Sequence, residues 1–201
     1  MSALLHGLNL TTGNPTDRLG VLQLSTVCGY QLCNAAAEKA TLLTAEENWL
    51  VRSGCGESIA YADLHTHRVG GETSGSVGLI CLLRLLVHPC YRRRGLATLL
   101  LRLAEEKARQ LAGVWSPLPG PDKPEWGLLC IPVLPGQDNY AAQVFLKREG
   151  YSLLPGAGAD YWDWPVPPSL PMRAGQSLLI YAKEIVSLPQ QAILAAAVAS
   201  G

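Results

Sequence analysis

The sequence has no excess of charge of either sign. Its 16 Lys and Arg residues equal its 16 Asp and Glu residues, so no overall field attracts nucleic acid or an anionic membrane. No apolar run is long enough to cross a bilayer, and the first residues, MSALLHGLNL, lack the cationic and apolar regions of a secretory signal. We therefore expect a cytoplasmic protein that has no nucleic-acid or membrane partner.

Patterns typical of metal sites and disulfides are also missing. The six cysteines are scattered without a CxxC pair, and two of them lie in apolar, strand-like runs where cysteine behaves as a small hydrophobe. His65 and His67 share one face of a predicted strand, but no third ligand is close in sequence. We expect reduced thiols and no bound metal.

Two common phosphate-binding loops are absent as well. The sequence contains neither GxxxxGK[ST] nor GxGxxG, which excludes a Walker loop and a Rossmann dinucleotide loop. With 201 residues, 48% of them hydrophobic, the chain can still bury a sizeable core. If the protein binds a phosphate group, a different sequence pattern must provide the site.

That pattern is a strand, a loop and a helix within residues 79–111. The first part is apolar except for Arg84, as expected for a central strand covered on both faces. Pro89 ends the strand because proline has no N–H to donate. After Gly95, leucines recur at helical spacing, and Gly113 is a suitable stop.

The loop, Arg92-Arg93-Arg94-Gly95-Leu96-Ala97, has the chemistry of an anion site. If the helix begins near Gly95, its first N–H groups lack helical partners and point into the loop, with the positive end of the helix dipole behind them. Gly95 lets an anion approach the backbone closely, and the three arginines add positive charge. The pattern predicts a phosphate site. The alternative is a solvated turn in which Gly95 caps the helix.

The segment from Val87 to Ala97, VHPCYRRRGLA, followed by an aliphatic helix, resembles the acetyl-CoA signature of the GNAT superfamily of N-acyltransferases. The resemblance implies an α/β fold with a central mixed, mostly antiparallel β-sheet, whose central strands splay apart and which helices flank. It also implies that acetyl-CoA is the acyl donor and that no metal takes part.

The same resemblance assigns cofactor residues. Backbone groups of the strand would pair with pantetheine, and the loop amides would hold the pyrophosphate. A main-chain N–H of Leu86 or Val87 would face the acetyl oxygen. The implied cofactor residues are Leu85, Leu86, Val87, Arg92, Arg93, Arg94, Gly95, Leu96, Ala97 and Thr98.

Residues 139–151, NYAAQVFLKREGY, predict a short helix that ends at Gly150. They are similar to the second motif of the family, NxxAxxxYxxxGF, in which the asparagine, here Asn139, flanks the pantetheine. Leu146 stands where many members have a tyrosine. The matching residues are Asn139, Ala142, Gly150 and Tyr151.

Acyl transfer to an amine also needs groups that accept and donate protons. With Leu146 at the tyrosine position, the leaving thiolate takes its proton from another group such as Tyr140, from water or from the amine itself. Glu57 and Asp63, on a predicted hairpin, are candidate bases. Arg84 stands near the position where the resemblance implies a carboxylate, and it either binds a substrate carboxylate or reaches solvent.

The remaining segments are arranged around this unit. Residues 1–17 are predicted to be a mobile arm, residues 18–186 a single GNAT domain, and residues 187–201 a tail. Residues 155–175 form an inserted loop, rich in proline, glycine and aromatics, that we expect to shape the acceptor pocket. The other predicted elements are a strand at Val21–Val27, a helix at Gln31–Leu43, a hairpin at Trp49–His67, and strands at Trp126–Leu134 and Ser177–Ile185.

Two functions fit these residues. One is an N-acetyltransferase that transfers the acetyl group directly, in a ternary complex, to a primary amine of a small molecule or of a peptide N-terminus. The other is a catalytically weak GNAT-fold domain that binds an acyl-CoA as a sensor or an assembly part. Leu146 and Arg84, which depart from the family pattern, support this alternative. We expect a monomer or a homodimer.

Overall fold

The computed structural model describes residues 7–29, 47–69, 77–113, 126–133, 139–154 and 179–186. In this part of the chain a seven-stranded sheet is flanked by three α-helices. The strands are β1 (Asn9–Thr11), β2 (Glu47–Arg52), β3 (Ser58–Val69), β4 (Gly78–Val87), β5 (Trp126–Val133), β6 (Ser152–Leu153) and β7 (Leu179–Val186), the α-helices are α1 (Arg18–Val27), α2 (Leu96–Leu111) and α3 (Tyr140–Arg148), and short 3-10 helices lie at Pro15–Asp17 and Pro89–Tyr91.

The sheet is mixed and mostly antiparallel. Its strand order is β1-β2-β3-β4-β5-β7-β6, and among the described pairs only β4 and β5 run parallel. Their register extends from Gly78 opposite Trp126 to Leu82 opposite Cys130, although β4 continues to Val87. The predicted fold class is confirmed, and the pairing of these central strands ends before the strands do.

Contacts divide the chain into two compact units, and β3, β4 and α2 each contribute residues to both. The first unit comprises residues 1–65, 84–104 and 164–176, and the second comprises residues 66–83, 105–163 and 177–201.

The first unit contains an apolar core between α1 and its strands. Val21 and Leu24 of α1 pack with Leu50 of β2, and the same cluster includes Tyr61 of β3 and Leu86 of β4. None of these side chains is more than 2% exposed. The predicted hairpin is present as β2 and β3, which pair antiparallel.

The prediction of a strand at Val21–Val27 is wrong, because these residues are the second part of α1. Upstream, Asn14 and Asp17 form a capping box, which is a typical helix start. Val21 and Leu24 are both buried. A spacing of three residues places side chains on one face of a helix but on opposite faces of a strand.

Ordered structure extends into the segment predicted to be a mobile arm. β1 pairs antiparallel with β2, and the Gly13 N–H donates to Oδ1 of Asn48 at 2.7 Å. Asp17 forms an ion pair with Arg52. Within the predicted arm, residues 9–17 thus contact β2 through strand pairing and two side-chain contacts.

In the second unit a buried carboxylate connects α2 to β7. Glu105 is 1% exposed and accepts from Nζ of Lys183 at 2.9 Å and from the hydroxyl of Tyr151 at 3.2 Å. Lys183 also donates to the carbonyl oxygen of Glu149 at 3.0 Å. The buried charge is thus paired, and the residues that follow α3 are bound to β7.

The other predicted elements lie close to their expected bounds. They are β4 and α2 for residues 79–111, β5 for the strand at Trp126–Leu134, α3 for the helix after Asn139, and β7 for the strand at Ser177–Ile185. The helix predicted at Gln31–Leu43, the inserted loop at 155–175 and the tail at 187–201 lie outside the described residues. No described helix is both long and apolar enough to span a membrane.

Candidate functional site

The end of β4 turns its last carbonyl group away from the sheet. The carbonyl oxygen of Val87 accepts from Sγ of Cys28 and from Nε of Arg92, both at 3.3 Å. The next residue returns to β3, since the His88 N–H donates to the carbonyl oxygen of Ile59 at 2.9 Å. Side chains of α1 and of the following loop therefore fix the backbone where the strand ends.

The basic loop, residues 92–95, has an unusual backbone. Arg93 has a φ of +62° and Gly95 a φ of +81°, whereas Arg94 between them is not in the left-handed region. Arg92, just before them, is extended, so Arg93 is a left-handed residue that follows an extended one. For arginine this conformation is strained by roughly 1–3 kcal/mol, and such strain clusters at ligand-binding sites.

The basic loop leads directly into the N-terminus of α2. The Leu99 N–H donates to the carbonyl oxygen of Gly95 at 2.9 Å, so Gly95 is the N-cap. The N–H groups of the first residues, Leu96 to Thr98, have no acceptor within the helix. They carry the positive end of the helix dipole. Because the Arg92 N–H already donates to the carbonyl oxygen of Pro89 at 3.2 Å, the candidate donors are the N–H groups from Arg93 to Thr98.

The side chains of the basic loop leave this backbone accessible. Arg92, Arg93 and Arg94 are exposed, and a Cβ added to Gly95 would meet no atom within 4 Å. Leu96, by contrast, is 2% exposed and anchors the start of α2. Glycine suits position 95 because the φ there is positive. The space in front of Gly95 is open, so a ligand can approach its backbone.

The other predicted cofactor residues are placed as follows. Leu86 lies in the core cluster of the first unit, and Leu85, Ala97 and Thr98 are partly buried. Asn139 precedes α3 in the second unit and does not cap that helix with its side chain. Because backbone groups would make the strand contacts, burial of the Leu86 side chain is compatible with the predicted role.

In the second unit, the candidate acid Tyr140 and the residue at the tyrosine position of the motif, Leu146, lie in contrasting environments. Tyr140 is 68% exposed on α3, whereas Leu146 is 2% exposed. Tyr151 donates to Glu105, which gives it a structural partner. A tyrosine that the sequence analysis missed is Tyr181, whose hydroxyl lies 3.3 Å from Oε1 of Gln143.

Glu57, the predicted base on the hairpin, is exposed in the turn between β2 and β3. The turn is held by its backbone: the Ser53 N–H donates to the carbonyl oxygen of Glu57 at 2.9 Å.

The described residues contain no group of three or more His, Cys, Asp or Glu side chains that could hold a metal ion.

The expectations for Arg84 and Asp63 need correction. Nε of Arg84 donates to Oδ1 of Asp63 at 3.0 Å and to Oδ2 at 3.1 Å, and a second guanidinium nitrogen also contacts Oδ2. Arg84 is 6% exposed and Asp63 0%. Arg84 therefore does not reach solvent, and its guanidinium already binds a carboxylate of the protein itself.

Asp63 has further neighbours on β3. The hydroxyl of Tyr61 donates to Oδ2 at 3.0 Å, and Nε2 of His65 lies 3.6 Å from the same oxygen. Burial raises the pKa of Asp63, but the Arg84 guanidinium and His65 more than offset it, so the pKa lies below its ordinary value. A carboxylate so paired is a poor base. We call Tyr61, Asp63, His65 and Arg84 the Asp63 cluster.

The residue types carry a signal for this cluster, although not the strand alignment that brings its members together. Tyr61, Asp63 and His65 alternate along β3, so they share one face of the strand. Polar residues in that pattern beside buried positions require partners inside the protein. Arg84 is the single charged residue in an otherwise apolar strand and was the natural candidate.

Comparison with known proteins finds one family model that is similar to part of the chain. Residues 23–117 match the model of the Acetyltransferase (GNAT) family, and this segment contains β2, β3, β4, the basic loop and α2. A search of curated protein sequences gave no match.

Solved structures share the fold at low sequence identity. A putative acetyltransferase of the GNAT family from Desulfovibrio desulfuricans has a TM-score of 0.57 and 18% identity, covering 89% of this chain and 99% of that one. Arabidopsis thaliana Naa50, in complex with the bisubstrate analogue CoA-Ac-MVNAL, has a TM-score of 0.56 and 14% identity, covering 88% and 98%.

A GCN5-related N-acetyltransferase from Sphaerobacter thermophilus has a TM-score of 0.52 and 20% identity over 73% of this chain. This chain spans 44% of the length of that protein. At such identities the structural similarity establishes the fold alone, and the family match adds the signature region. Residues 23–117 are thus similar to the GNAT acetyltransferase family model, and the sheet that they help to form has the fold seen in solved GNAT structures.

Proposed function

We propose that the protein is an N-acetyltransferase that transfers the acetyl group of acetyl-CoA to a primary amine. The observation that carries the proposal is the basic loop, where Arg93 and Gly95 are left-handed immediately before the N-terminus of α2. Backbone N–H groups at a helix N-terminus bind phosphate. The family match over the same residues supports acetyl-CoA as the phosphate-bearing ligand.

The roles proposed for individual residues follow from this placement. The N–H groups from Arg93 to Thr98 hold the pyrophosphate, and the arginine side chains add charge at the exposed rim. Backbone groups of residues 85–87 bind pantetheine. Exposed arginines exchange water for phosphate at little structural cost because none of them is part of the core.

The reaction proposed is direct transfer in a ternary complex. The neutral amine attacks the acetyl carbon, while a main-chain N–H of Leu86 or Val87 stabilises the charge that develops on the acetyl oxygen. The C–S bond then breaks, and the thiolate takes a proton. A peptide N-terminus is the acceptor class that the Naa50 complex supports, since its bisubstrate analogue joins CoA to a peptide. A small-molecule primary amine is the other.

The donor site is tested by calorimetric titration with acetyl-CoA. Gly95→Glu is expected to abolish binding, because the side chain enters the space that a phosphate would occupy and its charge repels it. Gly56→Glu is a matched control: Gly56 also has a positive φ, +86°, and open space in front of it, but it lies in the hairpin turn. Wild-type affinity in Gly95→Glu would remove the basis of the proposal.

The second candidate function is an acyl-CoA sensor or assembly domain with little turnover. The observation that favours it is Leu146, which is 2% exposed and offers no proton where the family often has a tyrosine. Release of CoA thiol with a set of short peptides and small amines decides between the two. Tight acetyl-CoA binding without thiol release for any amine would favour the sensor.

A further inference from the structure

The Asp63 cluster is a group of polar side chains in the first unit to which the proposed donor site gives no role. Two of its members, Asp63 and Arg84, are buried charges. Replacing such a pair with apolar residues of similar volume is often neutral or stabilising, so stability alone does not account for its presence. The position of the cluster points to a role in the reaction.

The cluster lies beside the part of β4 that the proposed donor follows. Arg84 directly precedes Leu85, the first strand residue proposed to contact pantetheine, and lies three residues before Val87, about 10 Å away at the usual rise of a strand. With its pyrophosphate in the basic loop and its arm running back along β4, the donor brings its thioester toward Arg84. Polar side chains at this point lie near the reacting atoms.

Within the cluster, His65 is the group suited to take up a proton. Both oxygens of Asp63 already accept hydrogen bonds, from Arg84 and from Tyr61, and Tyr61 is 0% exposed. The His65 side chain is 22% exposed, and its Nε2 faces Asp63 at 3.6 Å. Imidazole is the side chain that changes charge between about pH 5 and 8.

Asp63 is placed to orient that imidazole. Its carboxylate is held in one position by Arg84 and Tyr61, and its negative charge stabilises a protonated ring beside it, as the carboxylate does in other His–Asp pairs. With Nε2 directed at Asp63, the second ring nitrogen is the proton acceptor. Arg84 keeps Asp63 ionised, so the proton stays on the histidine.

We propose that His65 is the general base of the acyl transfer and that Asp63 is its positioning residue; this rests on the acyltransferase function proposed above. As the amine nitrogen bonds to the acetyl carbon, its proton passes to His65, directly or through one water. The C–S bond breaks, and its electron pair remains on the CoA thiolate. The thiolate takes a proton from solvent, and His65 returns its proton to solvent, which completes the cycle.

The test compares His65→Gln with His67→Gln, a matched control two residues along β3. Both variants are assayed with acetyl-CoA and short peptides that carry a free α-amine, between pH 5 and 9. We expect His65→Gln to lower kcat/KM by roughly 10²–10⁴-fold and to change the shape of the pH–rate profile. The rise that comes from the peptide amine, at about pH 8, should remain. Acetyl-CoA affinity and Tm should match those of the control.

Further measurements separate this role from a structural one. Added imidazole should restore part of the activity of His65→Gln and leave His67→Gln unchanged. If His65→Gln keeps the rate and pH profile of the control, the base assignment is overturned and the acyltransferase function stands. If the wild-type protein binds acetyl-CoA but releases no CoA thiol with any peptide or small amine, both proposals fail. Absence of acetyl-CoA binding would overturn the donor site proposed in the basic loop, and with it the acyltransferase function.

Discussion

Arg84 of β4 and Asp63 of β3 form a buried ion pair in which Nε of Arg84 lies 3.0 Å from Oδ1 of Asp63. Arg84→Met should destabilise the protein by about 3–5 kcal/mol, because it leaves a buried carboxylate without its counter-charge. The double variant Arg84→Met with Asp63→Leu should lie much nearer to wild type. Urea denaturation of the three proteins measures this difference. Equal stability of the single and double variants would contradict it.

The same pair predicts part of the acid dependence of stability. Because the pKa of Asp63 is lowered in the folded state, the carboxylate stabilises the fold at pH values above its unfolded pKa of about 3.9. That contribution is lost as the pH falls through the lower, folded-state pKa. The free energy of unfolding should therefore decrease on acidification below about pH 5, and less steeply in the double variant. Parallel curves would show that Asp63 does not contribute.

The basic loop could be predicted from sequence because its information is local. The apolar strand, the arginines, Gly95 and the periodic helix follow one another in a single segment, and each sets its own backbone preference. The pairing of Asp63 with Arg84 could not be predicted in this way. These residues are separated by 21 positions, and their contact depends on how β3 and β4 are aligned in the sheet.

The first helix shows a different limit of sequence reasoning. Val21–Val27 alternates enough to suggest a strand, but the capping box at Asn14 and Asp17 starts a helix before it. The contact of Tyr151 with Glu105, 46 positions apart, could not be predicted from the sequence either, although Tyr151 belongs to the second motif. Local sequence patterns predict where a helix or strand lies. Side-chain contacts between residues that are distant in sequence can be predicted only when the arrangement of the strands and helices is known.

A second stability prediction concerns Glu105 and Lys183. Lys183→Met should lower the free energy of unfolding by about 1–3 kcal/mol, since a buried carboxylate loses a charged donor at 2.9 Å. Arg148→Met is the control, because Arg148 is 71% exposed where it pairs with Glu149, and its effect should stay within about 0.5 kcal/mol. Chemical denaturation compares the two, and similar small losses would show that the buried contact is unimportant.

The cysteines should differ sharply in reactivity toward a disulfide reagent. Cys55 is exposed, and the neighbouring Ser53 hydroxyl, 2.9 Å away, lowers the pKa of its thiol. Burial raises the pKa of Cys81 and Cys130 to about 12. Cys55 should therefore be labelled first and Ser53→Ala should slow it, while Cys81 and Cys130 react after unfolding. Peptide mapping by mass spectrometry after brief labelling identifies the sites, and early labelling of Cys81 would contradict the burial.

The last prediction concerns the position where the family often has a tyrosine. Leu146 is 2% exposed, so Leu146→Tyr adds volume to a packed site and should destabilise by about 1–3 kcal/mol. Tyr140→Phe removes only a hydroxyl from a side chain that is 68% exposed. We expect it to leave Tm unchanged and to change the rate of CoA thiol release by no more than about twofold. Thermal melts and acetyl-CoA turnover on both variants test this. A large loss of kcat in Tyr140→Phe, with an unchanged Tm, would make Tyr140 the acid that protonates the thiolate, whereas a stable and faster Leu146→Tyr variant would show that the site can accept the missing hydroxyl.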